Sequence, residues 1–203
     1  MIYTRYILKV IILYLCITEL NYAEINFNDI DSIKNWNILQ NKKIQIKWVN
    51  HRDFPICQTS STLPFSMKSI SNIIEDVENY PKVFKRIYKV NILEEDVVHI
   101  MLDMPLFLSN RDYIIKYKKN KTPDSWEFSF NAVKHHNAPE TRDHIRLINA
   151  AGLWKIVPID TNKTSIIYTW NGELLGDFPE FAFERAWKTQ GNEIINWISD
   201  ALE

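Results

Sequence analysis

Cysteine is nearly absent: the chain holds only Cys16 and Cys57 among 203 residues. Cys16 falls in an apolar amino-terminal run. If that run is removed, Cys57 stands alone, and a lone cysteine makes no internal disulfide. The fold must then be held by an apolar core and not by staples. Cys57 reads as a buried or half-buried side chain, because no histidine accompanies it in a nucleophile motif. Glycine is also scarce, with four residues, none nearer than four positions to the next, which excludes a glycine-rich phosphate loop. No serine-centred nucleophile elbow is present. The five histidines build no metal motif: there is no HExxH and no cysteine pair, and the adjacent His135 and His136 point apart on an extended chain. No metal or cofactor is expected. Charge of one sign is also missing. A formal net charge of -1 offers no basic excess to hold a nucleic-acid backbone, so no nucleic-acid partner is expected. Nor is there a strong polybasic segment for lasting adhesion to an anionic membrane, although transient membrane contact stays open.

What the chain does have is apolar and aromatic surface. Hydrophobic residues make up 46%, with 7 Trp, 9 Tyr and 10 Phe, enough to build a real core at a length that suits one domain. The longest apolar run, Val10 to Ile17, follows Arg5 and Lys9 and precedes a mixed stretch ending at Ala23. That order is the one of a secretory signal peptide, and the run is short for a bilayer span. Residues 1–23 are therefore read as a signal peptide or an amino-terminal anchor, and 24–203 as a single domain. The protein is expected to be exported, periplasmic or secreted, or to stay membrane-associated through this segment. Without 1–23 the net charge becomes -2.

Periodicity places the elements. Ile25, Phe27, Ile30, Ile33 and Trp36 sit near helical spacing, so a short helix capped by Asp29 or Asp31 is expected up to about Leu39. Lys42 to Asn50 alternates as a half-buried strand, and Ile56 to Leu63 can pair back on it. Ser66 or Ser69 caps a helix whose face is Ile70, Ile73, Ile74 and Val77. Asn79-Tyr80-Pro81 ends or interrupts it, and a second short helix carries Val83, Phe84 and Ile87. Strands follow at Tyr88–Leu93, Val97–Met104, Arg111–Lys119, Trp126–Val133, His144–Ile159 and Lys163–Glu173, joined by polar turns, which predicts an antiparallel meander. From Pro179 the period changes again. Phe183, Trp187, Ile194, Ile198 and Ala201 form the stripe of a long amphipathic helix over roughly 179–201.

The expected fold class is α+β: a curved antiparallel sheet wrapped around a long C-terminal helix. Inward residues such as Tyr113, Phe128, Ile166, Tyr168 and Trp170 suit an internal cavity and a filled core equally well. Gly191, beside the helix stripe, serves either close packing or a ligand that approaches the backbone.

Several stretches together resemble a START-type domain of the helix-grip superfamily, which also holds polyketide cyclase-like and birch-pollen-allergen-like proteins. They are Val77-Glu78-Asn79-Tyr80-Pro81, Asp103-Met104-Pro105, Ser109-Asn110-Arg111-Asp112-Tyr113, Gly152 to Pro158, Thr164 to Trp170, and Gly176-Asp177-Phe178-Pro179. They occur in the family's order over about 40–203. The resemblance implies a hydrophobic tunnel under the C-terminal helix that holds a lipid or another hydrophobic small molecule, with no covalent chemistry, in what is expected to be a monomer. The alternative it leaves open is a polyketide cyclase- or hydratase-like enzyme acting on an apolar substrate, with Asp103, His144 or Glu173 as acid or base. An export segment on such a domain looks more bacterial than eukaryotic.

The candidate ligand-binding residues are Asp103, Arg111, Tyr113, Phe128, Tyr168, Trp170, Phe183, Trp187 and Gly191. Arg111 could meet a phosphate or carboxylate through its fork, or form a structural pair with Asp112 or Asp103. Glu173 and Arg185 could pair across a cavity mouth. Leu174, Leu175, Phe178 and Pro179 form an apolar approach to the last helix and are the candidate gate, or else simply anchor that helix.

Overall fold

The computed structural model describes residues 25–105 and 108–203. The candidate export segment at 1–23 lies outside the described residues. The chain begins with a three-strand meander, β1 (Asn37–Asn41), β2 (Gln45–His51) and β3 (Phe54–Leu63). β2 and β3 join through Arg52 and Asp53, both at positive φ (52° and 67°), the backbone of a tight two-residue hairpin. Two helices follow, α1 (Met67–Glu75) and the one-turn α2 (Tyr80–Val83). Ser66 caps α1 by accepting a hydrogen bond from the Ser69 N–H at 3.1 Å. Then come β4 (Ile87–Glu94), β5 (Val97–Leu102), β6 (Asn110–Lys121), β7 (Trp126–Ala132), β8 (His144–Arg146), β9 (Ala151–Asp160) and β10 (Lys163–Asn171), and last α3 (Phe183–Asp200).

The sheet order is β1-β2-β3-β10-β9-β7-β6-β5-β4. The meander expected from sequence is present, but α1 and α2 carry the chain away from β3 before it starts. The last strand therefore returns to pair with β3, from Thr164 opposite Leu63 to Asn171 opposite Ile56. The two edges, β1 and β4, do not meet, so the sheet is curved and open, with α3 packed in its concavity.

Two expectations are corrected. The segment 25–39 is no helix. Ile30–Ser32 makes a single tight turn, and Ile25, Phe27 and Ile30 pack with Ile56 and Ala151 in a satellite cluster on the outer face. The end of the segment, 37–39, pairs along β2 as part of β1, where a short helix would be marginal by itself. The second correction concerns His144–Ile159, which is two strands. β8 pairs in parallel with the start of β6, Asn110 opposite His144, before the chain turns at Leu147–Ala150 into β9. The sheet is antiparallel but for this short pair.

The long helix begins four residues later than expected, because Glu180–Ala182 is a tight turn ahead of it. Its apolar stripe faces the first strands. Trp187 is buried against Trp48, with ring centroids 4.9 Å apart, and donates its indole N–H to the Gly172 carbonyl at 2.8 Å. Gly191 faces Ile46 of β2 and Thr59 of β3. A Cβ there would lie 3.0 Å from Ile46 Cδ1 and 3.3 Å from Thr59 Cβ, and Thr59 Oγ1 donates to the Gly191 carbonyl at 3.2 Å. A side chain at 191 would have to push Ile46 and Thr59 aside by a few tenths of an ångström.

Candidate functional site

The helix does not fill the concavity. Inward side chains of β5, β6, β7, β9 and β10 and one face of α3 enclose a cavity of about 510 Å³. Its floor is aromatic. Trp154, Tyr168 and Trp170 stack in a row, with centroids 4.0 Å and 5.2 Å apart, and Tyr113, Phe128 and Phe130 continue the wall. Strand alternation makes this possible, because residues two apart on β10 and their cross-strand neighbours on β9 share one face. Gly152 opposes Phe130, and the Phe130 ring covers it so closely that a Cβ would lie 2.4 Å from Cζ. Val77, Tyr80 and Phe84 close one side, Tyr80 from α2 and the other two from the residues flanking it.

The helix also turns a second, less apolar side to the cavity: Ala186, Thr189, Gln190 and Glu193 line it, together with Ile194 from the edge of the apolar stripe and Ala182 from the turn before the helix. The two alanines leave the space open. Pro105, Arg185 and Thr189 are the exposed members of the lining and mark where the cavity reaches solvent. Arg86 meets Glu193 there through a two-pronged ion pair, at 2.7 Å and 2.8 Å.

The polar groups of the floor are few. The Tyr80 hydroxyl donates to the Ile74 carbonyl at 2.7 Å. Among the described residues, nothing hydrogen-bonds the Tyr113 or Tyr168 hydroxyl, and the buried Trp170 Nε1 has no partner. Burial pushes the Tyr113 and Tyr168 phenols above their ordinary pKa, and the neighbouring Tyr113 adds to the rise at Tyr168. A buried donor left unmet costs about 1–3 kcal/mol, which applies to Trp170 Nε1; the two phenol hydroxyls open onto the cavity.

Of the candidate ligand-binding residues, Tyr113, Phe128, Tyr168 and Trp170 line the cavity, as do Leu174 and Phe178 of the candidate gate. Phe183 stacks between Phe178 and Trp187 (5.3 Å and 5.5 Å). With Trp187 and Gly191 it belongs to the helix–sheet contact and not to the lining. Asp103 is exposed and outside the lining. His144, a candidate acid or base, contacts Tyr88 and Thr141 instead. Glu173 does reach the wall, where Asn149 and Asn171 donate to its carboxylate.

Arg111 is fully buried and occupied by the loop before α3. Its guanidinium donates to the carbonyls of Ser109, Leu174 and Leu175 and to Asp177 Oδ1, the last at 2.9 Å. The loop needs this support. Leu175 is a non-glycine residue at φ 48°, a conformation L-residues rarely adopt, and Gly176 follows at φ 62°. Ser109 donates its N–H and hydroxyl to Asp177. These bonds and the Arg111 cation hold the Asp177 carboxyl below its usual range. Leu175 and Pro179 lie off the lining. Asp112, the next residue, points to the opposite face of β6, where His99 Nε2 lies 2.7 Å from Oδ2 and Arg146 binds both oxygens at 2.8 Å and 2.7 Å.

No protein-family model and no curated protein sequence matches the chain. Solved structures do. A STAR-related lipid transfer protein from Xanthomonas axonopodis superposes with a TM-score of 0.72 at 16% identity, covering 83% of this chain and 99% of its own. The chain has the START-type helix-grip fold. Human StAR-related lipid transfer protein 5 shares it, with a TM-score of 0.73 at 12% identity over 82% of this chain and 85% of its own. So does the aromatase/cyclase Zhui of Streptomyces sp. R1128, more distantly, with a TM-score of 0.53 at 16% identity over 72% of this chain and 92% of its own. The same fold is thus shared by proteins named for lipid transfer and by an aromatase/cyclase, and function has to be argued from the site.

The sequence offered no sign of this second side of the helix. Ala182, Ala186, Thr189 and Gln190 show no apolar period, and small or polar residues on a helix ordinarily read as a solvated face. Trp154 was within reach, since it lies in the Gly152–Pro158 stretch and alternates with Gly152 and Ile156.

Proposed function

We propose that the protein is a non-enzymatic carrier that binds a lipid or similar hydrophobic molecule in the cavity beneath α3. The observation that carries this reading is the cavity itself: about 510 Å³, within the usual range of ligand sites, walled by stacked aromatic and aliphatic side chains. Transfer from a bilayer to such a site keeps apolar surface away from water throughout, so no covalent step is needed. The gap beside Pro105, Arg185 and Thr189 is the way in, and the wall next to it, Leu174 and Phe178, is the part of the candidate gate that a passing ligand meets. Transient membrane contact at this rim belongs to the same reading, as does export as a monomer through residues 1–23.

Native mass spectrometry of gently purified protein, followed by organic extraction, tests it. The expected result is one bound, chemically unaltered hydrophobic molecule per chain. Ala186→Phe, which fills the cavity from the helix side, should lower uptake of a fluorescent lipid about tenfold or more while the circular dichroism spectrum stays unchanged. Wild-type protein that carries nothing and takes up no apolar probe would overturn the reading. Recovery of a chemically altered substrate would favour the cyclase-like alternative.

A further inference from the structure

We infer that the ligand is uncharged and carries a hydroxyl or carbonyl oxygen, and that this oxygen docks on the cavity floor against the phenols of Tyr113 and Tyr168. The inference rests on the cavity-binding reading and narrows the class of ligand within it.

Tyr168 is only 8% exposed, stacked on Trp154 at 4.0 Å, and its ring has little freedom to turn the hydroxyl elsewhere. Tyr113 and Tyr168 both line the cavity. Each carries its hydroxyl at the tip of an inward side chain, with no partner among the described residues. Tyr80, the third phenol of this group, shows the ordinary solution by donating to the Ile74 carbonyl. Phenylalanine at 113 and 168 would pack the same wall and leave no polar atom unmet. Two phenols that face an apolar space gain most when a ligand oxygen lies there, because each can donate to it and one can accept from a ligand hydroxyl.

The charge of the ligand follows from where the charged groups sit. The ionisable side chains of the lining other than tyrosine are Arg86, Glu173, Arg185 and Glu193. Arg86 and Glu193 neutralise one another in a two-pronged pair, Glu173 is held by Asn149 and Asn171, and Arg185 is exposed at the rim. A carboxylate or phosphate on the floor would lose its water and gain no cation, which strongly disfavours it. Burial keeps both phenols neutral and therefore able to donate.

The experiment uses the full chain as wild type, Tyr113→Phe, Tyr168→Phe and the double variant. Bound diphenylhexatriene is displaced by four probes of equal chain length: hexadecane, cetyl alcohol, the corresponding methyl ketone and palmitate. Wild type should prefer the alcohol and the ketone over the alkane by about tenfold or more, the worth of one or two hydrogen bonds, and should bind palmitate more weakly than the alcohol. Each single variant should lose part of that preference, and the double variant nearly all of it, with hexadecane and diphenylhexatriene affinities kept. Retained affinity for these two hydrocarbons shows that the variants are folded. An alcohol preference that survives in the double variant overturns the inference, and so does palmitate binding tighter than the alcohol. If wild type binds neither hydrocarbon, the cavity-binding reading itself fails and takes the inference with it.

Discussion

Replacing Arg111 with methionine tests whether one buried guanidinium holds the loop that leads into the long helix. Methionine keeps much of the apolar stem and removes the fork. The fork serves three backbone carbonyls, those of Ser109, Leu174 and Leu175. A buried acceptor left unmet costs about 1–3 kcal/mol. The loop is only half-buried at Leu174 and Leu175, so its carbonyls can turn partly to water and each counts near the lower bound. Removing the cation also relieves the cost of burying a charge. The net loss should be about 2–4 kcal/mol, a fall in Tm of about 5–15 °C for a chain of this size. Arg111→Lys should recover little, because a point charge cannot reach three divergent acceptors. Urea unfolding followed by tryptophan fluorescence measures the loss, and amide exchange at 172–178 locates it. An unchanged midpoint together with unchanged exchange in that loop would refute the reasoning.

Two further outcomes follow from buried contacts away from the cavity. Burial alone would raise the Asp112 pKa, but hydrogen bonds from His99 and Arg146, with the Arg146 charge, outweigh it and hold the carboxyl below its ordinary range. A depressed folded-state pKa contributes stability that is complete above the unfolded value of about 3.9 and is lost as pH falls toward the folded one. Wild type should therefore lose stability progressively below about pH 4. Asp112→Asn should be less stable at pH 7 and change less on acidification, as read by urea unfolding across that range; identical pH slopes would count against the triad. Gly191→Val should cost about 1–3 kcal/mol through overpacking, since even a bare Cβ meets Ile46 at 3.0 Å. Chemical denaturation measures it, and unchanged stability would show that α3 can lift from β2 and β3 without penalty.

Much of the fold was legible in the sequence. The alternation of Trp126, Phe128 and Phe130, and of Ile166, Tyr168 and Trp170, marks strands with one apolar face, because side chains alternate across a strand whatever lies beside it. The Ser66 cap and the α3 stripe are legible for the same reason, as consequences of local backbone geometry. Local signals failed where pairing partners decided. Ile25 to Trp36 has helical spacing, yet Ile25, Phe27 and Ile30 pack on Ile56 and Ala151 across the outer face, partners that no local period reports. His144–Ile159 reads as one strand, yet it breaks because β8 pairs with β6. On the sheet side the lining follows strand alternation; on the helix side the expected stripe supplies Ile194, and Ala186, Thr189 and Gln190 carry no such signal. Phe183, Trp187 and Gly191 mark the apolar stripe correctly, but that stripe buries itself on the first strands.

Local chemistry thus determined the strands, the capped helix, the closing helix and the inward row of Tyr113, Phe128, Tyr168 and Trp170. Only the tertiary structure decided that the row faces an open volume and not a filled core. The outcome depends on distances across the fold. Gly191 lets one side of α3 come down on Ile46 and Thr59, and Trp187 ties it to Gly172. The other side of the helix then presents Ala186, with Ala182 in the turn before it, and both are too short to reach the aromatic floor.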